Sequence, residues 1–118
     1  MKYAVLIYGD ESEWIDLPAE ERKRLRAEEM PQWLALFEEL RKADPGVIGR
    51  ELEGGRAARV VRVRDGERIV TDGPFAETKE IVGGAFVIEL PDLDEAIRLA
   101  ALVPAARSGS IEIRPVVQ

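Results

Sequence analysis

The chain has no cysteine and no histidine in 118 residues, and these two absences exclude a good deal of chemistry. Without a thiol there is no thiolate nucleophile, disulfide, iron–sulfur cluster or thiolate zinc site. Without an imidazole there is no Ser-His-Asp relay, no imidazole metal ligand and no side chain whose ordinary pKa suits proton transfer near neutrality. Any catalysis must rest on Asp, Glu, Lys, Tyr or a carboxylate-bound metal ion. The acids are mostly interleaved with bases, as in Glu20-Glu21-Arg22-Lys23, and Asp92 and Asp94 read as a helix start. Neither a metal nor a cofactor is therefore expected.

A basic excess is missing as well. Seventeen Lys and Arg stand against 23 Asp and Glu, a net charge of −6, so no overall field attracts nucleic acid or anionic lipid, and neither partner is expected. No apolar run approaches the roughly 20 residues of a membrane span. The opening Met1-Lys2-Tyr3-Ala4-Val5-Leu6-Ile7 reads as a short strand without the cleavage site of a signal peptide, so a cytoplasmic location is expected. What is present, 46% hydrophobic and 34% charged residues, suits a single folded domain over residues 1–118.

Residues 3–8 form an apolar run ended by Gly9-Asp10, the pattern of a strand buried on both faces. Asp16-Leu17-Pro18 opens a helix that runs to about Ala43, with Met30, Trp33, Leu34, Phe37 and Leu40 as its apolar stripe. Pro31 predicts a kink or a break near residues 27–31. Strands are predicted at Val47 to Glu53, Ala58 to Arg64 and Glu67 to Thr71, the last two joined by the hairpin pair Asp65-Gly66. A loop covers Asp72 to Val82, and after Gly83-Gly84 comes a strand from Ala85 to Leu90. Asp92 caps a second helix with Leu93, Ala96, Ile97, Ala100 and Ala101 on its apolar face, and Ser110 to Val116 closes the chain as a strand.

The order β, α, β, inserted hairpin, β, α, β suits an α+β sandwich of the ferredoxin-like type, both helices on one face of a mostly antiparallel sheet. Alternation along the first strand puts Tyr3, Val5 and Ile7 on one face and Ala4, Leu6 and Tyr8 on the other, and both sets are largely apolar. A bare apolar face needs a cover, and a second copy of the sheet is the simplest one, which predicts a homodimer.

Residues 72–80 read DGPFAETKE and are followed by Gly83-Gly84-Ala85-Phe86. With the opening strand ending Leu-Ile-Tyr-Gly-Asp, the helix start Pro-Asp-Leu-Asp-Glu-Ala and the terminal Glu-Ile-Arg-Pro, the chain resembles the DGPF-domain branch of the YCII-related proteins over nearly its whole length. The resemblance implies a ferredoxin-like subunit that pairs sheet to sheet into a dimeric α/β barrel. It also implies either a lyase or dehydrochlorinase type of enzyme acting on small aromatic substrates, or a regulatory partner of an extracytoplasmic-function sigma factor. Related YCII proteins often carry a His on the first helix, paired with an Asp as an acid/base dyad, and Gln32-Trp33-Leu34-Ala35 puts Trp33 where that His would stand, a departure from the dyad.

The expected function is binding of a small, partly aromatic molecule near the DGPF loop. Asp72 is the candidate base, since a carboxylate before Gly73-Pro74 at a strand end can face a cleft; it can equally be a turn residue accepting backbone hydrogen bonds. Tyr8, Trp33 and Phe75 are candidate walls, with core or dimer packing as the plainer role for Tyr8 and Trp33. Lys79, with Glu77 and Glu80 beside it, and Arg114 are candidates for an acidic substrate, or else solvated surface charges.

Overall fold

The computed structural model describes residues 1–75 and 78–118. Its elements are strand β1 (Lys2–Gly9), helix α1 (Ala19–Ala43), strands β2 (Ile48–Glu51), β3 (Arg59–Arg64), β4 (Glu67–Asp72) and β5 (Ile81–Glu89), helix α2 (Leu93–Ala100) and strand β6 (Ser110–Pro115). Four strands form one antiparallel sheet in the order β2-β5-β1-β6, and β3 and β4 pair only with each other as a separate ribbon. The architecture is α+β with two helices and antiparallel sheets, and the four-stranded sheet of this one chain is open, not closed into a barrel.

Alternation on β1 decides where the core lies. Tyr3, Val5 and Ile7 point to the helices and pack with Phe86 and Ile88 of β5, Ile111 and Ile113 of β6, Leu36 and Leu40 of α1, and Ala96 and Leu99 of α2. The other face carries Ala4, Leu6 and Tyr8, paired across to Val87, Ala85 and Val82 of β5. It stays open to solvent: Val87 is 41% exposed and its β2 neighbour Ile48 66%.

The expected break at Pro31 is absent, since α1 is one helix of 25 residues with Pro31 inside. Pro31 and Ala27, whose carbonyl it cannot bond, are both exposed, where solvent can supply the missing partner. The buried face of α1 is also rotated from the expected stripe. Leu36 and Leu40 are buried and Trp33 packs on the core, whereas Leu34 is 55% exposed and Phe37 38%. On α2 the buried residues are Ala96, Leu99 and Ala100, with Leu93 and Ile97 about half exposed.

Strand β5 begins at Ile81, four residues before the expected start, because Gly83-Gly84 lies inside it. The register with β1 slips there, Ile7 facing Gly84 and Tyr8 facing Val82, so the glycine pair marks a bulge. The Asp65-Gly66 turn has the expected positive φ at both residues, 50° and 77°. Asp92 caps α2 through the Glu95 N–H at 2.9 Å, while the Glu95 side chain turns to Arg98.

Asp44 ties the end of α1 to the sheet. Its carboxylate accepts the N–H groups of Glu89 and Gly46, each at 2.9 Å, and these bonds hold its pKa below the ordinary aspartate value. A depressed carboxylate contributes stability that is present above the unfolded pKa, about 3.9, and is lost as pH falls through the folded value. The Asp44→Ala variant should therefore be less stable at neutral pH and lose less further stability on acidification below about pH 4 than the parent, as read by urea melts at stepped pH.

Candidate functional site

At the end of β1 a cavity of about 540 Å³ opens between the main sheet and the root of the β3–β4 ribbon. Tyr8, Leu52, Ala58, Pro74, Phe75 and Ile81 are among the residues of its wall. Gly55, buried, brings the backbone close: its N–H donates to Glu11 Oε2 at 2.8 Å, and a Cβ here would stand 3.1 Å from Ile81 and from Pro74. Gly73 has the same tight fit at the ribbon root, its N–H donating to the Ala58 carbonyl at 3.0 Å.

The polar centre is built by strand alternation. Tyr8, on the open face of β1, donates its phenol O–H to Glu112 Oε1 at 3.0 Å. Glu112, two residues along β6 from Arg114 and on the same face, also accepts from Arg114 Nε at 3.1 Å. The accepting carboxylate pushes the Tyr8 pKa up, helped by burial and by the Glu112 charge, with Arg114 opposing. A second carboxylate lies close by: Glu80 Oε2 accepts from Ser110 Oγ at 2.9 Å and the Glu80 carbonyl accepts from Thr78 Oγ1 at 2.6 Å. Asp10 is held below its ordinary pKa by the hydroxyl and N–H of Ser12, which it accepts at 2.6 and 3.0 Å.

Of the residues singled out from the sequence, Tyr8 and Phe75 meet in this cavity. Arg114 does not line it and is linked to Tyr8 only through Glu112, which lies outside the wall as well. Asp72 does not line it: its side chain is 91% exposed at the end of β4, with Arg59 Nε at 3.5 Å. Lys79 is also in water, 4.0 Å from Asp10 Oδ2. Trp33 belongs to the helix-covered side, its Nε1 donating to Glu29 at 3.2 Å, and so is on the opposite face of the sheet from Tyr8. Glu77 lies outside the described residues. Glu112 is not among the residues the sequence points to; alternation puts Ser110, Glu112 and Arg114 on one face of β6, but only the pairing with β1 brings that face to Tyr8. Among the described residues no group of three Asp or Glu converges as a metal site, and no helix is long and apolar enough to cross a membrane.

The Tyr8–Glu112 contact has a direct readout. In a Tyr3→Phe background, which leaves Tyr8 as the one tyrosine, Glu112→Gln should move phenol ionisation to lower pH in a spectrophotometric titration. An unchanged midpoint would mean that the hydrogen bond does not form in solution.

An open-faced antiparallel α+β sheet with a cavity at one end thus defines the class of this protein. The chain belongs to the YCII-related domain family, whose model matches residues 1–118. It is similar to an uncharacterized protein of Rhizobium meliloti (strain 1021), 39% identical over 117 residues that cover 98% of this chain and 91% of that protein.

Proposed function

We propose that this YCII-related protein is a homodimer of the DGPF branch that binds a small, partly aromatic molecule in the cavity beside Tyr8 and Phe75. The observation that carries the proposal is the cavity itself. Its volume of about 540 Å³ suits a small ligand, its walls are mainly apolar, and the Tyr8 phenol offers one oriented polar group. The loop Asp72 to Glu80, which carries the branch signature, supplies Pro74, Phe75, Thr78 and Glu80 to the wall.

The strand order β2-β5-β1-β6, with β1 and β5 central and all neighbours antiparallel, supports a ferredoxin-like subunit. The uncovered face with Leu6, Ala85, Val87 and Ile48 supports sheet-to-sheet pairing into an α/β barrel. Asp72 faces water and Arg59 and is given no proton-transfer role in this scheme; Glu80 lines the cavity, and Glu112 is the carboxylate that holds the Tyr8 phenol.

Thermal-shift screening of small aromatic metabolites tests the proposal. Hits should stabilise the parent and Asp72→Ala alike, and lose about tenfold or more in affinity in Tyr8→Ala or Phe75→Ala, as expected when a ring contact is removed. Hits that survive both cavity substitutions unchanged would place the ligand elsewhere.

A further inference from the structure

We propose that the β3–β4 ribbon is an arm that packs on a second copy of this chain, with its Val61, Val63 and Val70 face buried in the dimer. The proposal rests on the homodimer described above and assigns the arm a place in it. Directly paired residues share a face, so the register Val61 to Val70 and Val63 to Arg68 puts the three valines on one side of the ribbon. They are 60%, 62% and 54% exposed in the single chain. The opposite side leans on its own subunit: Val60 and Arg62 are half-buried, and the Arg62 guanidinium lies 5.5 Å from the centre of the Phe75 ring. On that opposite side Ile69 is 39% exposed, so the valine face is the more open apolar side of the ribbon among the described residues.

A two-stranded ribbon by itself is at best marginally stable in water and needs a further layer on its apolar side. The exposure of the three valines means that the described residues do not provide that layer, and the chain as a whole is spread out. Its radius of gyration is 16.2 Å, against about 13–14 Å for a compact chain of this length. Its extents of 45 × 43 × 21 Å describe a flat, spread molecule.

Charge points to a second copy as the occupant. On the valine face Arg59 and Arg68 stand against Asp72, and residues 56–72 as a whole hold five arginines against three acids. The rest of the chain is thus more acidic than its net −6, so the arm of one copy meets a complementary surface on another, whereas the whole molecule repels a phosphate backbone. Ala58 and Phe75 stand at the root of the arm and also line the cavity, so a docked arm would fix that wall.

The test pairs light scattering with amide exchange across a concentration series, in the parent and in Val61→Thr/Val63→Thr. Threonine keeps the β-branched shape, so the ribbon can still form, but it removes the apolar contact. The expected results are a parent dimer at low micromolar concentration, amides of β3 and β4 that slow as dimer forms, and a dissociation midpoint at least about tenfold higher in the variant. A dimer with an unchanged midpoint and concentration-independent exchange in the arm would overturn the arm while leaving the sheet-to-sheet dimer standing. A parent that stays at 13.2 kDa throughout would remove both. Retention of duplex DNA by the parent, lost in Arg62→Ala/Arg64→Ala, would overturn the arm in favour of a nucleic-acid surface.

Discussion

Leu36→Ala is expected to cost about 2–5 kcal/mol of unfolding free energy, a large part of the total stability of a domain this size. Leu36 is 2% exposed and sits where α1, α2 and the sheet meet, so its removal leaves a void that three elements border. Leu34→Ala, on the same helix but 55% exposed, is the matched control and should change stability by less than about 0.5 kcal/mol. Urea melts of the two variants give the answer together. Equal losses would mean that the helix face assigned to the core is wrong.

Gly109→Ala is expected to be the most damaging single methyl added to the chain. A Cβ at Gly109 would stand 2.1 Å from the carbonyl oxygen of Tyr8 and 3.2 Å from that of Ala105, and neither backbone atom can swing aside as a side-chain tip would. Either the end of β1 or the turn Pro104–Arg107 must move. Overpacking of this kind costs about 1–3 kcal/mol, and a contact this short belongs at the upper end. Because the atom met is the backbone of Tyr8, the variant should also weaken the Tyr8–Glu112 bond, and phenol ionisation should move toward lower pH as in Glu112→Gln. Loss of stability with an unshifted phenol would show that the turn gives way and not β1.

Much of the fold is legible in the residues themselves. The apolar run from Tyr3 to Tyr8 announces a central strand because both of its faces need cover, and β1 does lie between β5 and β6. Asp65-Gly66 and Asp92 are legible because each answers a local backbone requirement, positive φ in one case and an uncapped N–H in the other. The buried face of α1 is not, since Leu34, Leu36, Phe37 and Leu40 are all apolar and only the position of the sheet decides among them. The start of β5 was hidden because a glycine pair signals a turn and a bulge equally well.

Legibility of the candidate site follows the same division. Tyr8 and Phe75 could be named because each flanks a recognisable punctuation, Gly9 and Gly73-Pro74. Asp72 has the same punctuation, yet at the end of β4 it is turned into solvent beside Arg59. Trp33 shares an aromatic character with the site but is separated from it by the thickness of the sheet. Glu112 lies 104 residues from Tyr8 and becomes its partner only through the β1–β6 pairing, a contact no local pattern encodes.

The most direct test of the binding site is amide chemical-shift mapping of the labelled protein with the strongest hit of the aromatic screen. Shifts concentrated on Tyr8, Leu52, Gly55, Phe75 and Val82 are the predicted result. Shifts centred on Trp33, on Asp72 or on the groove that Gln32, Leu36, Arg98 and Arg107 line beside α1 and α2, with the cavity residues unmoved, would contradict it.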